Sequence, residues 1–119
     1  MRVLMVDDSN TMRRIMITQL KAAGIEDIFE ASNGEEAMKM IESNMPIDLL
    51  VLDINMPVLD GLATLRILRA DAKYNSVRIV MVTSESEKTK VMEAVAAGAN
   101  DYLVKPFTPE NLLKKLGIK

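Results

Sequence analysis

Four short stretches of this 119-residue chain, Val3 to Val6, Leu49 to Leu52, Ile79 to Val82 and Tyr102 to Val104, are apolar without polar alternation. Strands covered on both faces read this way, because neither side of the pleat meets water. A fifth stretch, Ile25 to Ala31, is more polar and predicts an edge strand. Between the stretches the period changes. Met12, Ile15, Met16, Leu20 and Ala23 form one stripe at helical spacing, and Leu62, Leu65 and Leu68 form another. The pattern is a β-α unit repeated five times. Ser32 with Glu35 and Ser84 with Glu87 have capping-box spacing, Thr108-Pro109 is a helix start, and Gly24, Gly98 and Gly117 are helix stops. Short connections between alternating strands and helices imply right-handed crossovers and a three-layer α/β/α sandwich around a parallel sheet.

Length allows one domain, residues 1–119, with enough chain to bury a true core. Apolar residues at 49% and charged residues at 27% exclude a disordered or a membrane-embedded chain. A net charge of −2 without a long run of one sign leaves no basic footprint for nucleic acid or an anionic membrane. The apolar segment after Met1-Arg2 is too short for a signal peptide or a membrane span, so a cytoplasmic protein is expected. The sequence has neither Cys nor His. Thiolate chemistry, Ser-His-Asp hydrolysis, imidazole acid-base work and His-ligated zinc are all excluded.

In open parallel sheets, ligands bind beyond the carboxyl ends of the strands, where the strand order reverses. The residues arriving there are Asp7-Asp8, Asp53, Thr83-Ser84 and Lys105-Pro106. Carboxylates about 4 Å apart repel by roughly 4 kcal/mol per pair at an effective dielectric near 20, so three together need a cation. Mg²⁺ suits the site, since it prefers hard oxygen ligands and binds through one or two carboxylates with waters and phosphate oxygens. A main-chain carbonyl such as that of Asn55 could be a further ligand. Lys105 adds a compact cation and Thr83 a hydroxyl, completing what phosphoryl transfer to a carboxylate requires. Charge alone does not decide which aspartate attacks. Taken singly, Asp7-Asp8 could be helix caps, Thr83 a turn hydroxyl, Lys105 a solvated lysine and Tyr102 a half-buried strand aromatic.

Along its whole length the sequence resembles the receiver domains of two-component response regulators. The resemblance lies in Val6-Asp7-Asp8-Ser9, Asp53-Ile54-Asn55-Met56-Pro57 with Asp60-Gly61, Val82-Thr83-Ser84, and Lys105-Pro106-Phe107. Within that family it is most similar to the single-domain chemotaxis regulators, in Ser9 to Arg14, Asn55, Glu85 and Tyr102. The resemblance implies a flavodoxin-like strand order 2-1-3-4-5 and a monomeric switch whose only chemistry is its own phosphoryl transfer and self-hydrolysis. It implies that a histidine kinase phosphorylates Asp53. Asp8 would ligate Mg²⁺ directly, Asp7 through water, and Asn55 through its carbonyl, with Asp53 completing the set.

Lys105 would hold the phosphoryl group. Thr83 would turn toward it and Tyr102 would move inward, changing the face of the fourth helix, fifth strand and fifth helix, with a flagellar motor switch protein as the expected partner. Asn55 and Glu85 would set the phosphoryl lifetime, and Lys105-Pro106 would be cis. Two other readings of the family keep the chemistry: a receiver in a different phosphorelay, or one belonging to a longer regulator. An Mg²⁺-dependent aspartyl phosphatase would instead want Asp-x-Asp after the first strand. A flavin carrier would want Ser, Thr and Gly where Asp7-Asp8 stands.

Overall fold

The computed structural model describes residues 1–84, 88–105 and 107–117. Strands β1 (Arg2–Val6), β2 (Asp27–Ala31), β3 (Leu49–Asp53), β4 (Arg78–Ser84) and β5 (Asp101–Lys105) alternate with helices α1 (Asn10–Ala22), α2 (Gly34–Ser43), α3 (Gly61–Arg69), α4 (Lys88–Ala96) and α5 (Pro109–Lys115). The strands form one sheet in the order β2-β1-β3-β4-β5, and every neighbouring pair is parallel. This is the flavodoxin-like sandwich that the pattern and the resemblance imply, with β2 at an edge.

The sheet divides the core into two layers, which explains the uninterrupted apolar strands. Leu4, Val6, Leu50, Leu52, Ile79 and Met81 face Ala37 and Ile41 of α2, Leu62, Leu65 and Leu68 of α3, and Val91 and Ala94 of α4. Val3, Met5, Leu49, Val51, Val80, Val82 and Leu103 face Met16 and Leu20 of α1 and Leu112 of α5, with Leu116 just beyond it. In β1, β3 and β4 alternate residues enter opposite layers, so a polar residue in the middle of these strands would be buried at either parity without a partner.

Two local expectations are corrected. The N-cap of α2 is Asn33, whose side chain accepts the Glu36 N–H, in place of Ser32 with Glu35. The Ser32 hydroxyl is engaged with the Glu36 carboxylate. In α1 the core face takes Met16 and Leu20 while Ile15 is exposed, and Ile17 packs at the margin instead. Gly24, Gly98 and Gly117 follow their helices with φ of 93°, 110° and 77°, the left-handed stop expected of them. The Ser84–Glu87 capping box, Glu85 and the Lys105-Pro106 peptide each involve positions outside the described residues; the cis peptide among those described is Met45-Pro46.

At the amino ends of the strands, two arginines are matched closely. Arg69, the last residue of α3, donates to the carbonyls of Tyr74 (3.1 Å), Val77 (2.8 Å) and Gly98 (2.9 Å) and to Asn100 Oδ1 (2.8 Å). Asn100 in turn pairs with Ile79 through both its N–H and its Oδ1. Arg2 donates its main-chain N–H to Asp48 Oδ2 (2.7 Å) and its Nε to Asp27 Oδ2 (3.1 Å).

Candidate functional site

The carboxyl end of the sheet is built where the order reverses between β1 and β3, and adjacent strands deliver their last residues side by side. Asp7 and Asp8 follow β1, Asp53 ends β3, Thr83 and Ser84 close β4, and Lys105 ends β5. Asp7 is fully buried, Asp53 is 7% exposed and Asp8 is open to solvent. Carboxylate oxygens of all three lie within 4.8 Å of one another. Lys105 Nζ stands 3.2 Å from Asp7 Oδ2 and 3.6 Å from Asp53 Oδ2. One ammonium thus faces two buried carboxylates, with a third beside them.

The main chain around these residues explains their placement. Asp7 N–H donates to the Ala31 carbonyl of β2, and Asp7 Oδ1 accepts the Ser9 N–H at 2.8 Å. The N-cap of α1 is Ser9, whose hydroxyl accepts the Met12 N–H, so Asp7 and Asp8 are not the caps of that helix. Arg13 donates to the Asp7 carbonyl from one turn into α1. On the other side, Ile54 N–H donates to the Val82 carbonyl, and Gly61 N–H returns to the Ile54 carbonyl at 2.9 Å. A Cβ on Gly61 would lie 2.0 Å from the Asp53 carbonyl oxygen, so only glycine lets α3 start this close to the end of β3. Asp60 caps α3 by accepting the Ala63 N–H at 2.8 Å. The Asp60-Gly61 pair therefore closes the loop that carries Asp53 and Asn55.

Electrostatically the pocket is unbalanced. The Asp53 carboxyl is pushed up from 3.8 to about 6, first by burial and then by the charge of Asp7. Lys105 and the Asn55 N–H, 3.4 Å from Asp53 Oδ1, pull in the opposite direction, and Asp8 adds a final push upward. Three carboxylates against one ammonium, in an all-oxygen donor set with neither His nor Cys, fit a hard divalent cation. The residues that would hold such a cation are Asp7, Asp8 and Asp53.

Of the other expected residues, Thr83 is buried, whereas Asn55 and Tyr102 are exposed. Thr83 is buried at the end of β4, and its hydroxyl donates to the Ser84 carbonyl at 3.1 Å. Asn55 is exposed on the loop, and its Oδ1 accepts from Lys90 Nζ of α4 at 3.2 Å. Lys90 had no signature in the sequence, since its link to the pocket crosses 35 residues. Tyr102 lies on the outer edge strand, 38% exposed, with its side chain outward.

The sequence matches the response regulator receiver domain family over residues 3–117. It is 42% identical over 118 residues to the chemotaxis protein CheY1 of Helicobacter pylori, covering 99% of this chain and 95% of that protein. To the chemotaxis protein CheY homolog of Campylobacter jejuni it is 45% identical over 116 residues, covering 98% and 89%. Among solved structures, the chemotaxis response regulator CheY4 of Vibrio cholerae superposes with a TM-score of 0.88 at 38% identity, covering 98% of this chain and 95% of that one.

Proposed function

The chain belongs to the response regulator receiver family, and from that membership we propose that it is a phosphorylation-controlled switch with Asp53 as acceptor. The observation that carries this reading is Lys105 Nζ set between Asp7 and Asp53 while the three carboxylates crowd within 4.8 Å. A pocket with surplus negative charge is costly unless its guest brings positive charge.

In the proposed reaction an oxygen of ionised Asp53 attacks the phosphorus of a phosphohistidine on a kinase. The P–N bond breaks, the leaving imidazole keeps the electron pair and takes a proton, and an aspartyl phosphate remains. Mg²⁺ held by Asp7, Asp8, Asp53 and the Asn55 carbonyl would neutralise charge on the transferring oxygens. Lys105 would move its contact from the carboxylates to a phosphoryl oxygen. Thr83 would exchange its bond to the Ser84 carbonyl for one to the phosphoryl group, drawing the end of β4 inward. That displacement opens room for Tyr102 and alters the surface of α4, β5 and α5. Attack of water on phosphorus then returns Asp53 and inorganic phosphate, at a rate to which Asn55 and Glu85 contribute.

The relatives' names point to chemotaxis, and a flagellar motor switch protein is the proposed partner on the altered surface. Two measurements test this. Asp53→Asn should take no label from radiolabelled acetyl phosphate with Mg²⁺, and labelling equal to the parent would dismiss Asp53 as acceptor. A motor-switch peptide should bind more tightly when beryllofluoride and Mg²⁺ are present, and unchanged affinity would dismiss the chemotaxis role while leaving the phosphoryl chemistry intact.

A further inference from the structure

Lys115, at the end of α5, makes three contacts that converge on the outward position of Tyr102. Its ammonium sits 4.9 Å above the centre of the Tyr102 ring. The same Nζ pairs with Asp101 Oδ1 at 3.2 Å, one residue before Tyr102 on β5. Its carbonyl accepts from Arg78 NH2 at 3.2 Å, and that guanidinium also lies 3.9 Å from Asp101 Oδ2. The lysine is therefore anchored to the edge strand by charge and to β4 through its main chain. Its cation is fixed over the ring face, where the aromatic quadrupole attracts it.

We propose that Lys115 is a positioning residue that holds Tyr102 outward and so biases the switch toward its resting state. The inference rests on the reading of Tyr102 as the moving part. An ammonium over the ring favours only the conformation in which the ring lies beneath it, and an interaction made in one state alone shifts the equilibrium between the two. An exposed contact of this kind biases such an equilibrium about two- to fivefold. By linkage, removing it should tighten the binding of whatever favours the inward state by the same factor. Direct charge effects on the acidic pocket are small. Lys115 pairs with the first residue of β5 and Lys105 is the last, about 13 Å along the strand at 3.3 Å per residue, which exceeds the screening length at physiological salt.

The protein provides its own probe. It has no Trp and two Tyr, of which Tyr74 is 4% exposed, so quenching of tyrosine emission by neutral acrylamide reports on Tyr102. In the parent with Mg²⁺, titration with beryllofluoride should reduce that quenching. In Lys115→Met the midpoint of the titration should fall about two- to fivefold, and quenching before addition should already be lower. Lys115→Arg, which keeps a cation able to stack on the ring, should return both to the parent values. A midpoint in Lys115→Met equal to the parent's would overturn the latch while the switch stands. A parent whose tyrosine quenching ignores beryllofluoride would overturn the Tyr102 switch, and the latch with it.

Discussion

The two ends of the sheet use charged side chains in opposite ways. At the amino end, Arg69 donates to four acceptors within 3.1 Å, and Arg2 is matched to Asp27 and Asp48. At the carboxyl end, the buried carboxylates of Asp7 and Asp53 share a single lysine, the exposed Asp8 lies beside them, and Asp53 is driven to about 6 by burial beside Asp7. Hydrogen bonds and pairing settle the first set within the protein itself. The second set keeps a surplus of negative charge that the protein's own groups leave unmatched. A fold can carry an unbalanced pocket because the opposite end and both core layers hold it together.

If this contrast is right, substitutions at the two ends should have opposite signs. The largest effect is expected from Arg69→Met. It leaves the Tyr74, Val77 and Gly98 carbonyls and Asn100 Oδ1 without their donor and should cost about 3–4 kcal/mol in chemical denaturation. A loss below about 1 kcal/mol would mean that water satisfies these acceptors equally well and that the amino end is no anchor.

Asp53→Asn should do the reverse. The folded-state pKa of about 6 lies above the ordinary 3.8, so between those values the folded protein holds a proton that the unfolded chain has released. The favourable contribution of the protonated group is complete below about pH 3.8 and is lost as pH rises through about 6. At pH 7 the ionised carboxylate is a penalty of about 2–3 kcal/mol, and the Asn variant should be more stable by a similar amount. Its stability should also lack the parent's decline between pH 4 and 6. A destabilised Asn variant would show that Lys105 outweighs burial and Asp7. Mg²⁺ at tenfold its dissociation constant should then stabilise the parent by about 1.4 kcal/mol and the variant by less, as read from the melting temperature.

The sequence made the charge-rich carboxyl end legible and left the amino end obscure, for a physical reason. Asp7, Asp8, Asp53 and Lys105 stand at the ends of apolar runs, and the parallel topology carries every such end to one edge, so pattern and topology together place them. The observed strands extend those runs by at most two residues at either end. Arg69, by contrast, reads as an ordinary basic residue in the last turn of α3, and its acceptors are mostly carbonyls that no side-chain pattern announces. Local slips have local causes. Ser32 and Asn33 can both cap a helix, but Asn33 Oδ1 accepts the Glu36 N–H while the Ser32 hydroxyl is engaged with the Glu36 carboxylate. Ile25 reads as strand, yet its N–H closes the end of α1 on the Leu20 carbonyl, and β2 starts two residues later.

Val58 tests the same contrast on the smallest scale. It lies in the loop between β3 and α3 with φ of 68° and is 75% exposed, so no packing offsets the left-handed backbone of a β-branched residue. The turn is closed by Leu59 N–H on the Pro57 carbonyl at 2.8 Å, the tight three-residue form that is rarely adopted. It persists because both flanks are fastened: Gly34 N–H holds the Leu59 carbonyl, and Gly61 N–H holds that of Ile54. Val58→Asn, which tolerates positive φ, should therefore gain about 1 kcal/mol and raise the melting temperature by about 4 °C, while Val58→Ile should change neither. Equal melting temperatures for all three proteins would remove backbone strain from the account of the carboxyl end. Its cost would then be electrostatic alone.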